Sequence, residues 1–185
     1  MLLRKITADT IDEFTELLVE LDRDPEVMRH LTGIPTPRPE IVDVLIPQVL
    51  AEDRTHPQFG RWLAFDHNDN SFLGRFSLRL SVPQDRPGTV SPADEATLGY
   101  RLRRRAWGRG LATEGTIALI HRAFDDLGLR RVWAETMFVN TRSRGVMERS
   151  GLTYLRTFHV HFDDPLPGTE LGEVEYQAFA DSWQP

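Results

Sequence analysis

The stretch Leu98-Gly99-Tyr100-Arg101-Leu102-Arg103-Arg104-Arg105-Ala106-Trp107-Gly108-Arg109-Gly110-Leu111-Ala112-Thr113-Glu114-Gly115 reads as a strand, an arginine- and glycine-rich turn, and the opening of a helix. Two glycines let the backbone close on an anion, successive N–H groups point into the turn, and the positive end of the helix dipole adds its partial charge. The junction therefore fits a phosphate. A dinucleotide fingerprint would need a third glycine three residues after the second, where Thr113 stands. A triphosphate loop would need a lysine after its last glycine, but Gly115 is followed by Thr116. What remains is R-x-x-G-x-G-x-A, from Arg105 to Ala112.

Outward from this junction, Thr97 to Leu102 is the strand that feeds it, and Ile117, Ile120, Phe124 and Leu127 form one helical stripe ended by Gly128. Arg131 to Val139 reads as a strand covered on both faces, and Asn140 caps a helix running to Ser150. Tyr154 to Phe162 and Glu173 to Phe179 are further strands. Upstream, Leu2 to Ile6 is a short strand, Thr7 to Thr10 offers a cap, and Ile11, Phe14, Leu17, Leu18 and Leu21 recur at helical spacing. Asp24-Pro25 starts another helical turn. Residues 33–39 form a proline-stiffened loop, and Ile41 to Ala51 is helical with Pro47 as a kink. Arg61 to Phe65 and Phe72 to Leu80 are strands around a polar tip, and 81–94 is a surface loop. The order gives an α/β (α+β) chain with a central strand–helix–strand unit, in one domain spanning 1–185.

The 185 residues carry 22 Lys and Arg against 28 Asp and Glu, for a net charge of −6. That charge is uneven. Residues 101–149 hold eleven arginines against five carboxylates, while the remainder is strongly acidic. A basic middle suits a compact polyanion, and an acidic remainder favours a cationic partner over extended nucleic acid. Arginine-rich binding also lacks the interleaved aromatics of a nucleic-acid groove, so no nucleic-acid partner is expected. With no cysteine, disulfides, thiolate metal sites and cysteine nucleophiles are excluded. No apolar run reaches signal-peptide or membrane-span length, which reads as a cytoplasmic protein with no membrane partner.

The motif Arg105-Ala106-Trp107-Gly108-Arg109-Gly110-Leu111-Ala112 resembles the cofactor loop of the GCN5-related N-acetyltransferase (GNAT) superfamily, Q/R-x-x-G-x-G/A. The resemblance extends to Asp24-Pro25-Glu26-Val27-Met28-Arg29, to Val139-Asn140-Thr141-Arg142-Ser143 with Val146-Met147-Glu148-Arg149-Ser150-Gly151-Leu152, and to Val174-Glu175-Tyr176 with Trp183. In that order they look like the RimJ/RimL-type branch. The resemblance implies a mixed, mostly antiparallel sheet of six to seven strands with flanking helices around a β-loop-α-β-α cofactor unit. It also implies acetyl-CoA as donor, with no metal.

On this resemblance the pyrophosphate is held by N–H groups from Arg105 to Gly110 and from Leu111, Ala112 and Thr113, with Arg104, Arg105 or Arg109 supplying charge. The pantetheine arm runs beside Leu98 to Leu102 as a pseudo-strand, wedged where that strand parts from Arg131 to Val139. A backbone N–H near Tyr100 to Leu102 polarises the thioester carbonyl. Asn140 and Ser143 match cofactor-contacting positions, and Ser143 is a candidate acid for the departing thiolate; Asn140 is equally a helix cap, and Ser143 equally a first-turn residue. In many relatives a tyrosine seven residues after the asparagine is the acid, and here Met147 replaces it. Transfer to an amine also needs a base, for which Glu95 is the first candidate and Glu135 the second.

The expected reaction is direct attack of a primary amine on acetyl-CoA in a ternary complex, the acceptor being a protein N-terminus or a small cationic amine. The alternative is a non-catalytic CoA-binding or partner-recognition module on the same fold. The chain is expected as a monomer or homodimer. His159, His161 and Asp163 alternate on one strand face, as a surface ladder, an acceptor contact or a metal site.

Overall fold

A computed structural model describes residues 1–81 and 94–185, so most of the loop expected over 81–94 lies outside the described residues. Seven strands form one mixed sheet in the order β1-β2-β3-β4-β5-β7-β6. The chain divides into two compact units, residues 1–78 with 99–112 and residues 79–98 with 113–185.

In the first unit, β1 (Leu2–Lys5) pairs antiparallel with β2 (Gly60–Phe65), which pairs antiparallel with β3 (Phe72–Leu80). Helix α1 (Ile11–Asp22) lays Phe14, Leu18 and Leu21 into a core with Ile6, Leu63, Phe65 and Phe72. Each such side chain, once buried, contributes about 1.5–3 kcal/mol before conformational entropy is subtracted. Thr10 precedes α1 without capping it: its hydroxyl donates to the Lys5 carbonyl at 3.0 Å and accepts from the Thr7 N–H at 2.9 Å, fixing the β1–α1 turn instead. Asp24 does cap α2 (Pro25–Met28), accepting from the Glu26 N–H at 3.0 Å.

The proline loop ends earlier than its composition implies. Helix α3 (Arg38–Glu40) takes Pro39 into its first turn, where a missing N–H breaks no helical bond. A five-residue π-type turn, Ile41–Leu45, then leads into α4 (Ile46–Thr55). The Ile46 N–H reaches back to the Ile41 carbonyl, and this wider turn admits the Pro47 ring that an unbroken α-helix would reject.

The first three residues of β4 (Glu95–Leu102) pair in parallel with β5 (Arg131–Met137), Glu95 opposite Arg131 and Thr97 opposite Trp133. In the second unit β5 pairs antiparallel with β7 (Glu173–Phe179), and β7 antiparallel with β6 (Thr153–Phe158). Helix α5 (Leu111–His121) runs into a π-type turn at Arg122–Asp126, and α6 (Thr141–Arg149) follows β5. Buried Trp133 donates from Nε1 to Ser81 Oγ at 2.7 Å, and Trp183 donates to the Ser150 carbonyl at 2.8 Å, tying the C-terminal segment to the end of α6.

Two strands stop short of their sequence patterns. β5 ends at Met137, not Val139, because the Asn140 N–H turns back to the Met137 carbonyl at 2.9 Å. β6 ends at Phe158, not Phe162, because its partner β7 begins at Glu173, directly opposite Phe158.

Candidate active site

The R-x-x-G-x-G-x-A segment leaves β4 through a single 3-10 turn, Arg104–Ala106. Its base is anchored in the first unit. The Arg103 N–H donates to the Leu73 carbonyl at 2.9 Å, Ala106 is buried, and Trp107 packs on the core while its Nε1 donates to the Leu102 carbonyl at 2.7 Å. Leu102 is itself buried, and the Tyr100 ring lies against Phe76.

Beyond Trp107 the backbone turns left-handed at Gly108 (φ 72°) and Gly110 (φ 76°), and a Cβ built on either would meet nothing within 4 Å. Gly74 on β3 is the opposite case. A Cβ there would lie 2.3 Å from the Arg101 carbonyl, so packing excludes it. At 108 and 110 the conformation requires glycine while the space beside it is open, which leaves the amides accessible to an anion. Helix α5 then opens at Leu111, so the N–H groups of Leu111, Ala112 and Thr113 add orphan donors and the dipole.

The arginines around this loop are paired with carboxylates of the same unit. Arg104 Nε donates to Asp24 Oδ2 at 2.7 Å, Arg109 to Asp66 Oδ2 at 3.1 Å, and Arg103 to Glu20. Arg105 donates to the Phe72 carbonyl at 3.0 Å. The Asn68 backbone N–H, and after it the Arg109 guanidinium, hold the Asp66 carboxyl below the usual carboxylate range. Arg104 and Arg109 keep 61% and 50% of their side-chain surface exposed. A guanidinium that keeps half or more of its surface in solvent and has one carboxylate partner can exchange that partner for a phosphate oxygen. Beside them an open hollow of about 520 Å³ is lined by Glu20, Asp24, Pro25 and Arg103 to Arg105.

In the second unit, Asn140 uses both ends of its amide: Oδ1 accepts from the Ser143 N–H at 3.3 Å and Nδ2 donates to Thr136 Oγ1 at 3.0 Å. It is the cap of α6, and it places half-buried Ser143 in the first turn. Met147 is buried, so the position that holds a tyrosine in many relatives is a core position here.

Glu95 is buried, with both carboxylate oxygens engaged, one by Arg130 and the other by Arg131 at 2.8 Å. Arg131 also donates to Glu175 at 2.7 Å and Gln177 at 2.8 Å, and Arg156 completes the cluster on Glu175 at 2.8 Å. Glu95 is thus held in a structural ion-pair cluster. Glu173 was not visible as a candidate in the sequence. On β7 it is opposite Met137, on the sheet face that also carries Glu135. Burial first, and the Glu135 charge second, push its carboxyl up to about 7. The only local hint was the alternation Glu173-Val174-Glu175, since the shift depends on the β5–β7 register.

His159, His161 and Asp163 lie past the end of β6, so they share no strand face. His161 and Asp163 approach at 3.9 Å, both exposed, and a His159 ring nitrogen is 3.3 Å from the Glu170 carbonyl. Among the described residues no three His, Asp or Glu side chains are grouped to hold a metal ion. No helix among them is long and apolar enough to cross a membrane.

A family model for the acetyltransferase (GNAT) domain matches residues 1–153. A relative from Aspergillus fumigatus, FsC-acetyl coenzyme A-N(2)-transacetylase, is 35% identical over 172 residues, which span 92% of this chain and 72% of the relative. A GNAT-family acetyltransferase structure from Bacillus anthracis superposes with a TM-score of 0.74 at 16% identity, covering 97% of this chain and 95% of that one. Spermidine N-acetyltransferase from Vibrio cholerae, solved with CoA and spermine, gives 0.73 at 12% identity with 97% and 95% covered. These two structures share the fold, and the family rests on the matched domain and the Aspergillus relative. On these matches the chain belongs to the GNAT family as an acetyl-CoA-dependent N-acetyltransferase.

Proposed function

We propose that this enzyme acetylates a primary amine by direct attack in a ternary complex, within the RimJ/RimL-like branch and in the cytoplasm. The observation that carries the reading is the pair of left-handed glycines, 108 and 110, with open space beside them and exposed arginines on either side. Amides from Arg105 to Gly110 and at Leu111 to Thr113 hold the pyrophosphate. Arg104, Arg105 and Arg109 exchange their internal oxygen partners for phosphate oxygens. The β4–β5 ladder stops at Thr97, and the family resemblance puts the pantetheine arm along the following residues, with an N–H near Tyr100 to Leu102 polarising the carbonyl. Asn140 and Ser143 contact the cofactor in this reading, and Ser143 protonates the departing thiolate.

An ammonium has no lone pair, so the acceptor must lose a proton before it attacks. Glu173 suits that step because its carboxyl titrates near 7 and is paired with no guanidinium among the described contacts. Glu135 sustains the shift, and Glu95 is the alternative base. The acceptor is a cationic small amine or a protein N-terminus. This is supported by the acidic balance of the chain outside 101–149 and by the N(2)-transacetylase name of the Aspergillus relative.

Isothermal titration tests the first step: acetyl-CoA binds wild type, and no heat at submillimolar concentration overturns the reading. Thiol release across a panel of polyamines, aminoglycosides, amino acids and peptides tests the second. Binding without release for any amine identifies a non-catalytic module.

A further inference from the structure

β6 is the last strand of the sheet, and among the described residues no strand pairs with its outer edge. From Thr153 to Pro165 every residue except half-buried Phe158 is exposed, including Val160 at 45% and Phe162 at 43%. Apolar side chains along an open strand edge form a pairing template, and a monomer normally blunts such an edge. The segment Arg156-Thr157-Phe158-His159-Val160-His161-Phe162-Asp163-Asp164 has no lysine, proline or glycine to do so.

We propose that residues 156–164 are a homodimer interface, in which the end of β6 and the exposed segment after it extend on pairing and meet the same segment of a second copy antiparallel about a twofold axis at Val160. The argument is the self-complementarity of the segment. In extended chain, alternate residues share a face, so Arg156, Phe158, Val160, Phe162 and Asp164 line up together. The Arg156 guanidinium already lies 4.9 Å from the centre of the Phe158 ring. A twofold axis at Val160 sets Arg156 opposite Asp164 of the second copy, Phe158 opposite Phe162, and Val160 opposite itself. On the other face it sets Thr157 opposite Asp163, and His159 opposite His161. Every charged pair is then opposite in sign, every apolar residue on the first face meets another, and each contact occurs twice, as a closed isologous interface demands. Arg156 spends Nε on Glu175, and its guanidinium has further donors for Asp164. The pairing also accounts for the length of the apolar pattern. Within one chain β6 stops at Phe158 because β7 begins opposite it, whereas a second copy supplies the partner that extends the strand through Asp164.

The test is sedimentation of the full chain over a concentration series. Wild type sediments as a dimer. Val160→Lys and Val160→Glu each place like charges together at the axis and raise the dimer dissociation constant by at least about tenfold. An equimolar mixture of the two variants restores association as a one-to-one heterodimer, because only a residue that faces itself gives this pattern. Circular dichroism and acetyl-CoA titration of both variants match wild type, since the side chain is exposed. The proposal is overturned by a wild type that stays monomeric at about 100 μM, by dimers indifferent to both substitutions, or by a mixture no better associated than its components. A monomeric wild type with an intact fold would leave this edge to a different partner.

Discussion

Two groups of arginines follow one another along the chain and do different work. Arg131 is 5% exposed and shared among Glu95, Glu175 and Gln177, all of which it holds inside the second unit. Arg103, Arg104 and Arg109 are each paired with a single carboxylate near the surface of the first unit. The residue type is the same and the local charge is similar. What separates them is how many partners lose solvent with the guanidinium. A buried cation that joins two buried carboxylates is not borrowed by a ligand, because removing it takes from each carboxylate its buried partner. A surface cation with one replaceable partner can. The difference teaches that an arginine count along a sequence overstates the binding surface, and that Glu20, Asp24 and Asp66 are the partners an anion would have to displace under the proposed function.

The sharpest way to break the contrast is Arg131→Ala. It leaves buried Glu95 to Arg130 alone and buried Glu175 to Arg156 alone, and we expect a loss of about 3 kcal/mol in urea unfolding. Gly108→Val with Gly110→Val should do the reverse, weakening acetyl-CoA binding about 100-fold in calorimetry while the strained backbone costs only about 1–3 kcal/mol per site. Unchanged binding would mean that the loop amides do not face the cofactor.

Among the carboxylates, Glu173→Gln should lower kcat/KM about 100-fold and remove an acid limb with a midpoint near 7, which Glu95→Gln should leave in place. The same group has a stability signature. Its folded pKa lies above the ordinary carboxyl value of 4.5, so between about 4.5 and 7 the native state binds more protons than the unfolded chain. Stability contributed by the protonated form is therefore present at low pH and lost as pH rises through about 7, and Glu173→Gln should flatten that slope in a pH series of denaturant midpoints.

Smaller effects belong to the surface pairs. Arg104→Ala should weaken acetyl-CoA about three- to tenfold and reduce the salt dependence of binding. Asp66→Asn, which removes the internal competitor for Arg109, should tighten binding about two- to threefold, most clearly at low salt.

What the sequence disclosed divides along physical lines. The geometry of the proposed cofactor loop is legible because its information is contiguous: two glycines that adopt positive φ and a helix start directly after them. Helix α1 was legible from the spacing of Ile11, Phe14, Leu18 and Leu21, all of which are buried. Strand ends were not, since β5 stops at a turn and β6 stops where its neighbour begins. Pro47 predicts a kink but not the π-type turn before it, because a proline tells that a helix must adjust and not how. Glu173 escaped notice for a similar reason. A carboxyl's environment is set by strand register and by a second carboxyl on another strand, neither of which leaves a mark in nearby residues.

The chain enters the first unit, leaves it at residue 78 and returns to it at residue 99 before leaving for good after residue 112. During synthesis this means that α1 emerges with Glu20, Asp22 and Asp24 long before Arg101, Arg103 and Arg104 exist to meet them. Asp22 becomes 2% exposed in the finished protein, and its ion partner Arg101 is made about eighty residues later. Until residues 101–104 are made, Glu20, Asp22 and Asp24 lack the arginines that pair with them in the finished protein. The arginine-rich stretch that leads into the glycine loop is also the one that completes these ion pairs.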